Sequence, residues 1–445
     1  MGYVAVRGGG KAIEESLKLL EYERVSASSA WGTDEIEGTF PELVDQVMGE
    51  ASLYAPRLAA LALKQAQGSP DEAVFQLRAF RSTLERPYVS RPVDTGAMRV
   101  ARRVSAAFKD VPGGQVLGAT RDYSHRLLAF DLETEGAEEL AGKRAALARH
   151  FEEAVGDAPE SPATLPRVLD YLRTEGLVAR VPADEAPPVD ATMVPLAFPA
   201  PRSVRLQTLA RGMTQAVEAL GYAAIRGFGP AHPTVGELRQ GRVAVAVDDP
   251  LEAGGPDDAY YLGSLPVTEV ESVFEGEGED GLALDIGYGC VIGRAETKAI
   301  AMSVLDHCLE HGDARYPTED EEFVLYHVDG VEATGFISHL KLPHYVTFQS
   351  KLSSVRGTRG DAAPDDDQAA DQAAIAALEA KEATDAAALS LRVLRRGVEA
   401  RDPPRSHQGR VHPRLSGALR LARDAHRPRL GHGRPADHAG HHRSR

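Results

Sequence analysis

Two histidines, His339 and His344, stand five positions apart in the stretch GFISHLKLPHYV, with Pro343 between them. Imidazole nitrogens bind transition metals and anions. On a continuous helix, residues five apart point about 140° away from each other, because each residue turns the helix by roughly 100°. Pro343 tends to interrupt a helix, so the two imidazoles converge only if the chain bends between them. The spacing alone favours one buried and one surface histidine, because it is not a standard zinc spacing.

Carboxylates offer a second kind of chemistry. Asp285 precedes the glycine-rich stretch GYGCVIG, and the acidic run Asp320-Glu321-Glu322 lies upstream of the two histidines. A carboxylate can stabilise the positive charge that a sugar develops during glycosyl transfer. A charge run of this kind is more often a solvated surface, and the sequence leaves both interpretations open.

Three segments combine glycine with clustered basic residues, the pattern that suits a phosphate-binding loop. Glycine lets backbone N–H groups approach an anion, and arginine and lysine neutralise it. The segments are residues 99–126, which include Pro112-Gly113-Gly114, residues 201–233, and GYGCVIGR at 287–294. None contains the GK[ST] of a Walker A loop, and the third lacks the Rossmann spacing. Each alone is a weak signal, because a glycine turn between strands is more often only a turn.

The elements that must position these residues begin with a mostly helical region, residues 1–155. Ser69-Pro70-Asp71-Glu72 is a capping box with proline at the first helical position. The apolar residues that follow at helical spacing predict a buried stripe formed by Ala73, Leu77, Phe80 and Leu84. Residues 156–201 form a variable, proline-rich segment that is typical of a linker.

Residues 202–353 predict a mixed α/β region that carries the two histidines. RVAVAVDD, residues 242–249, alternates as a strand, and ALDIGYGCVIG, residues 283–293, predicts a strand, a glycine turn and a second strand. ETKAIAMSVLDHCLEHG is an amphipathic helix with Cys308 on its apolar face. Asp329-Gly330 is typical either of a hairpin turn or of a helix end. The fold class predicted for the chain is therefore α+β.

Residues 354–445 differ in composition from the rest of the chain. They are first alanine-rich and acidic, then rich in arginine, histidine, proline and glycine, which predicts a disordered tail. Residues 391–445 hold 14 arginines against 4 acidic residues, a net charge of +10, whereas residues 1–390 carry a net charge of −26. The tail also holds 7 of the 15 histidines, so it is either an unstructured extension, even a reading-frame artefact, or a metal- or anion-binding segment.

Composition excludes several classes of function. So acidic a body argues against nucleic acid as a partner. No run of about 18 apolar residues predicts a membrane span, and the first residues resemble neither a signal peptide nor a myristoylation site. Two cysteines, Cys290 and Cys308, argue against a disulfide framework and against a four-cysteine metal cluster. A cytoplasmic location is the resulting expectation.

Seven strings of this sequence resemble the PhnI family of the bacterial carbon–phosphorus lyase complex, in order and over residues 2–352. They are YVAVRGGGKAI, LALKQAQG, AVFQLRAFRSTL, RRVSAAFKDVPGGQVLGATRDYSHRLL, RLQTLARGM, GYGCVIGRAETKAIAMSVLDHCL and DEEFVLYHVDGVEATGFISHLKLPHYVTFQ. Residues 130–200 match poorly, and the tail beyond 355 departs from the family. Nothing is therefore carried over to the tail.

The resemblance implies a role in phosphonate catabolism. With PhnG, PhnH and PhnL, a subunit of this family displaces the base of ATP or GTP by an alkylphosphonate, and alone it acts as a nucleosidase. With methylphosphonate the product is α-D-ribose 1-methylphosphonate 5-triphosphate. PhnJ carries the iron–sulfur cluster, PhnK is a further partner, and two copies of the subunit belong to the larger hetero-oligomer. A non-catalytic scaffold and, more weakly, a metal-binding regulatory protein built on the histidine-rich tail are the alternatives.

The resemblance also implies roles for residues. The family's HLKLPH histidines bind zinc near PhnJ, which corresponds to His339 and His344. The triphosphate would be held with Mg²⁺ by basic and glycine residues within the matched strings. These phosphate-binding candidates are Arg103, Lys109, Gly113, Gly114, Arg121, Arg126, Arg205 and Arg226. The candidates for proton donation to the base or stabilisation of the sugar are Asp110, Asp122, His125, Asp285 and Glu322.

Overall fold

The structure is a computed structural model, which describes residues 9–26, 30–156, 165–178, 187–227, 232–249, 258–278, 281–312, 315–342 and 344–359. The chain divides into two compact units, one of residues 1–28 with 353–445 and one of residues 29–352. In the first unit, the described residues form α1 (Gly9–Val25) and the end of α13 (Tyr345–Thr358). The predicted tail lies outside the described residues from position 360 onward.

The second unit begins with four short helices that pack together. They are α2 (Thr33–Thr39), α3 (Pro41–Ala51), α4 (Pro56–Gln65) and α5 (Pro70–Arg81). Proline opens three of them, at the position where its missing N–H costs nothing. The hydroxyl of Ser69 accepts from the backbone N–H of Glu72, which confirms the predicted cap. Their buried faces meet around Val47, Met48, Leu63 and Val74.

The predicted stripe on α5 is only half right. Ala73 and Leu77 are buried, whereas Phe80 and Leu84 are 43% and 42% exposed. The helix ends at Arg81, so Leu84 lies beyond it. Val74 is buried and Phe80 is not, because α3 and α4 pack against the side of α5 that carries Ala73, Val74 and Leu77.

A four-stranded antiparallel sheet, ordered β1-β2-β3-β4, forms the centre of the second unit. The strands are β1 (Arg99–Val104), β2 (Thr234–Asp248), β3 (Ala259–Gly278) and β4 (Gly281–Ile292). The predicted strand at 242–249 is confirmed within β2. Because β1 comes from the first 155 residues, the sheet joins the two regions that the sequence separates.

The remaining helices cover the sheet and extend from it. They are α6 (Ala137–Gly156), α7 (Asp170–Thr174), α8 (Arg202–Arg211), α9 (Thr214–Arg226), α10 (Glu296–His311), α11 (Glu321–His327) and α12 (Gly330–His339). The main core lies between α8–α10 and the sheet. Residues 165–178 bring Val168 and Leu169 into a buried cluster with Val111, while residues 157–164 and 179–186 lie outside the described part.

Two glycines of the GYGCVIG stretch are packing residues, which corrects the predicted strand, turn and strand. The stretch is one continuous strand, β4. A Cβ added at Gly287 would lie 2.0 Å from the carbonyl oxygen of Ser303, and one at Gly289 would lie 2.0 Å from that of Ala299. Glycine is therefore required because α10 lies directly on the strand backbone.

Asp329-Gly330 begins a helix. The Asp329 carboxylate accepts from the backbone N–H groups of Val331 and Glu332, so it caps α12. Asp320 caps α11 in the same way by accepting from Phe323 N–H. The observed architecture confirms the α+β class, and Cys308 is buried as predicted. None of the helices in the described residues combines the length and the apolar character that crossing a bilayer requires.

Candidate functional site

His339 and His344 converge, as the bend hypothesis requires. α12 ends at His339, and two turns at its end reverse the chain: Lys341 N–H donates to Ser338 and Leu342 N–H donates to His339. The Nε2 atoms of the two histidines lie 3.2 Å apart, and the rings meet at 86°. Pro343 itself lies outside the described residues.

The geometry of this pair suits a shared metal ion. Two nitrogens bound to a tetrahedral zinc at about 2.0–2.1 Å lie about 3.3 Å apart. His344 Nδ1 lies 2.6 Å from the carbonyl oxygen of Leu342. A carbonyl only accepts, so Nδ1 carries the proton and the Nε2 lone pair is free to bind. The pair therefore presents two nitrogens that one metal ion could bind, with further positions left for a partner residue, water or a phosphate oxygen.

Exposed apolar side chains flank the histidine pair in sequence. Phe336, Ile337 and Leu340 on the last turns of α12 are 65–75% exposed, and Phe348 on α13 is 62% exposed. Clustered large apolar side chains at a surface mark contact sites more often than isolated ones do. The pair thus lies in a surface region suited to contact with another protein.

Arg103 is an interior residue that is fully occupied by protein groups. Its side chain is 0% exposed, and its Nε donates to Glu237 at 2.6 Å. Nη1 donates to the carbonyls of Pro112 and Gly114, and Nη2 donates to that of Pro166. The guanidinium therefore fixes the glycine loop to β1 and β2, and it offers no unused nitrogen to a phosphate.

The other predicted site residues of segment 99–126 are exposed. Gly113 and Gly114 adopt φ of +81° and +78°, which is the left-handed turn that glycine permits. Arg121 pairs with Glu42, Asp122 pairs with Arg102, and His125 Nδ1 accepts from the Leu127 N–H. Lys109, Asp110 and Arg126 also lie at the surface.

The other predicted site residues are dispersed over several elements. Arg205 on α8 pairs with Glu310 and Glu321, and Arg226 is exposed at the end of α9. Glu322 is exposed in the first turn of α11. Asp285 on β4 is half-buried, and its carboxylate faces two histidines, His307 and His311. These residues lie on different elements, and Asp285 is the most enclosed of them.

A cleft of about 380 Å³ lies between the helices and the sheet. One wall is apolar, and the other carries groups that can form hydrogen bonds. The apolar wall contains Val93, Val243, Leu265, Val267, Val291 and Ile292, and the polar groups belong to Ser52, Thr95, Thr192, Gln207 and Arg211. Such a combination of a large apolar surface with a few polar groups is typical of a small-molecule site.

Arg211, which lines this cleft, belongs to a group of four arginines that interact electrostatically. Arg78 pairs with Asp329 in a bidentate contact, and Arg86 pairs with Asp190. Arg81 and Arg211 donate to backbone carbonyls of Ala51 and Ala191, and the buried Nε of each has no hydrogen-bond partner among the described residues.

The electrostatics of these arginines favour a bound anion. Burial and the neighbouring guanidinium of Arg211 lower the pKa of Arg81 to about 10, and burial with Arg78 lowers that of Arg211. Both groups remain cationic at neutral pH and repel each other. Asp329, Glu332 and Asp190 offset part of this positive potential at Arg211. An anion between Arg81 and Arg211 would relieve the remaining repulsion.

Sequence reasoning included Arg211 in a basic segment but left it out of the phosphate-binding candidates, and it missed Arg81 and the histidines on α10. His307 and His311 stand four apart in DHCLEH, which places two imidazoles on one helix face. That spacing can be recognised from the sequence alone. The proximity of Arg81 to Arg211 cannot, because they lie on helices that are far apart in sequence.

The sequence is similar to known proteins over most of its length. The profile of a family described as "Bacterial phosphonate metabolism protein (PhnI)" matches residues 2–362. A "Putative C-P lyase subunit protein HtxH" of Stutzerimonas stutzeri is 44% identical over 371 residues, which cover 81% of this chain and 97% of that protein. The "Alpha-D-ribose 1-methylphosphonate 5-triphosphate synthase subunit PhnI" of Escherichia coli K12 is 42% identical, over 80% of this chain and 97% of its own. Its namesake from Rhizobium meliloti 1021 is 44% identical, over 80% and 95%.

Proposed function

Because this chain belongs to the PhnI family of bacterial phosphonate metabolism proteins, we propose that it displaces the purine base of ATP or GTP by an alkylphosphonate. The C1′–N bond breaks, a bond from C1′ to a phosphonate oxygen forms, and the base leaves with a proton. The product is a ribose 1-phosphonate 5-triphosphate. The observation that carries the proposal is the identity of 42% and 44% to two relatives named as subunits of such a synthase. When the chain acts alone, water replaces the phosphonate, and the reaction becomes base hydrolysis.

The cleft beside Arg211 is the proposed nucleotide site. Its apolar wall suits the faces of a purine. Thr95, Thr192 and Gln207 form hydrogen bonds within the chain, which they would exchange for bonds to the base or the sugar. Arg211 lines the cleft and interacts electrostatically with Arg81, and the Nε of each arginine has no hydrogen-bond partner among the described residues. A triphosphate with Mg²⁺ would place its negative charge there.

The phosphate-binding residues predicted from sequence are a further part of the proposal. Lys109, Arg121, Arg126 and Arg226 are at the surface and accessible to a substrate. Arg205 would first have to leave Glu310. Gly113 and Gly114 remain candidates for backbone contact with an anion, whereas the contacts of Arg103 assign it to holding their loop.

The chemical step needs a proton donor for the base and a negative charge near the sugar. Asp110, Asp122, His125 and Glu322 are exposed in this chain. A group acts more strongly when water is kept away, because the local dielectric constant is lower. Asp285 is the one of the five candidates that is withdrawn from solvent, so it is the preferred one, although it is not among the residues that line the Arg211 cleft.

Partner subunits complete the proposal. His339 and His344 would hold Zn²⁺ or another divalent metal with positions left open for a partner, and the exposed apolar side chains around them support a contact there. We propose partners of the PhnG, PhnH, PhnJ, PhnK and PhnL types, two copies of this chain in the assembly and a cytoplasmic location. The relatives' names identify them as subunits.

The test is base release by the purified chain with ATP or GTP and Mg²⁺, followed by chromatography of free adenine or guanine. The Arg211→Ala variant removes a charged donor, which contributes about 1.5–3 kcal/mol. We therefore expect kcat/KM to fall roughly 10–150-fold. Arg57→Ala, at an exposed arginine on α4, is the matched control. Unchanged kinetics in Arg211→Ala would remove this cleft from the proposal.

The second candidate function is a scaffold for catalysis by other subunits. The exposed apolar side chains on α12 and α13 favour it, because they suit binding whether or not this chain is catalytic. The two functions differ in whether this chain alone releases base. Two results together would favour the scaffold. The folded chain alone would release no base, and the assembled complex would release base at the same rate with and without the Arg211→Ala substitution.

A further inference from the structure

Asp285, His307 and His311 converge from a strand and a helix. His307 and His311 are one turn apart on α10, and their ring centres lie 4.8 Å apart. The Asp285 Oδ2 on β4 lies 4.0 Å from His307 Nε2 and 3.9 Å from His311 Nε2. These separations exceed hydrogen-bond distances, so the three groups surround a small space and do not satisfy one another.

The neighbouring residues hold this arrangement in place. The ring of Phe274 stacks on His307 at 3.8 Å and 9°, which fixes the plane of the imidazole. A Cβ on Gly276 would lie 2.1 Å from Asp285 Oδ2, so only glycine on the adjacent strand leaves room for the carboxylate. Phe274 and Gly276 are both on β3, which pairs with β4.

His307 presents an unused ring nitrogen to this space. Its Nε2 is buried and has no hydrogen-bond partner among the described residues. Burial and the neighbouring His311 lower the pKa of His307 to about 4, against the opposing effect of Asp285 and Asp306. At neutral pH the imidazole is therefore uncharged, which is the form that binds a metal.

We propose that Asp285, His307 and His311 bind a divalent first-row transition-metal ion, with Zn²⁺ the best suited. Two imidazole nitrogens with one carboxylate oxygen form a ligand set that such ions prefer. Ligands of a tetrahedral zinc lie about 3.3 Å apart, so the two carboxylate–imidazole distances of 4.0 and 3.9 Å have to close by about 0.6–0.7 Å. A fourth position stays open for water or for an oxygen of a ligand.

This site is separate from the His339–His344 pair. It lies on β4 and α10, whereas the pair lies at the junction of α12 and α13. The proposal does not rest on base release, because it concerns the metal content of the chain. The simplest rival is an ion pair of Asp285 with protonated histidines, which would bind no metal.

The test measures Zn²⁺ binding to the metal-free full-length chain by equilibrium dialysis and elemental analysis, with Zn²⁺ as the only added ligand. All variants carry His339→Ala and His344→Ala, so the surface pair contributes nothing. Binding by the histidine-rich tail is common to every variant and cancels. The visible absorption of bound Co²⁺ gives a second readout of the same site.

We expect Asp285→Asn and His311→Gln each to remove one tightly bound equivalent of Zn²⁺ or to lower its affinity. Loss of a residue that only supports a metal ligand lowers affinity about 10–100-fold, so the loss of a ligand should lower it further. His150→Gln, at an exposed histidine on α6, should keep that equivalent. Identical stoichiometry and affinity in all three would overturn the proposal. The His311 side chain is 47% exposed, so His311→Gln keeps the test valid even if Asp285→Asn folds poorly.

Discussion

Replacing Arg103 with methionine separates a structural role from phosphate binding. The substitution keeps a long apolar side chain and removes the guanidinium. Glu237, 2% exposed, then loses its 2.6 Å partner, although its second oxygen still accepts from Val168 N–H. The carbonyls of Pro112 and Pro166 lose their donor as well.

The expected cost follows from the burial of both charges. Removing one partner of a buried ion pair costs about 3–5 kcal/mol, because the remaining charge loses most of its compensation. Here Arg239 Nε still lies 3.9 Å from the second oxygen of Glu237. Replacing both partners with apolar residues of similar volume is often close to neutral. We therefore expect Arg103→Met to lower the free energy of unfolding by about 3–5 kcal/mol. The Arg103→Met, Glu237→Met double variant should recover part of that loss.

Urea unfolding, followed by far-ultraviolet circular dichroism, measures both variants. A shift of the midpoint at constant slope reports stability alone. Arg226→Met, at an exposed arginine, is the control and should stay within about 0.5 kcal/mol of the parent chain. An unchanged midpoint for Arg103→Met, together with a raised KM for ATP, would refute the structural role and restore Arg103 as a phosphate ligand.

Two further predictions concern α10. Gly289→Ala forces a Cβ to 2.0 Å from the Ala299 carbonyl, so thermal unfolding should show that the free energy of unfolding falls by the usual overpacking cost of about 1–3 kcal/mol or more. Gly142→Ala, with open space around it, should show no such fall. Burial lowers the pKa of Lys298 to about 8 from 10.5, so the unfolded chain binds more protons and the free energy of unfolding should rise from pH 8 to 10.5. Lys298→Met should abolish this rise, whereas Lys341→Met at the surface should keep it; an equal slope in both would contradict the assignment.

Local signals in the sequence predicted individual elements well. The cap at Ser69, the strand at 242–249 and the apolar face around Cys308 depend on residues that are near one another in the chain. The glycines of β4 were misread because a turn and a close helix–strand contact both demand a residue without a side chain. The partner of Gly289 is Ala299, and nothing in the stretch GYGCVIG indicates that a helix will pack there.

The candidate sites likewise differ in whether their residues are close together in the sequence. The His339–His344 pair was singled out because both residues and the intervening proline lie in one short string. The spacing alone favoured one buried and one surface histidine, and only the resemblance to the PhnI family implied a shared metal. His307 and His311 are also close in sequence, at the helical spacing of four. They were passed over because the apolar face of α10 indicated a helix that packs in the core. Asp285 joins them from a different element, and its position over Gly276 depends on strand pairing that the sequence does not state.

The arginines show why charge clusters in the sequence are weak guides in this protein. Residues 1–390 carry a net charge of −26, so carboxylates outnumber the basic groups that they can pair with. Arg102, Arg121 and Arg205, all within glycine- and arginine-rich strings, are indeed held by aspartate or glutamate. In such an acidic chain, a buried guanidinium without a carboxylate contact is the more informative feature. Among the described residues, Arg81 and Arg211 donate only to backbone carbonyls, which makes the cleft that Arg211 lines the better place to look for an anion.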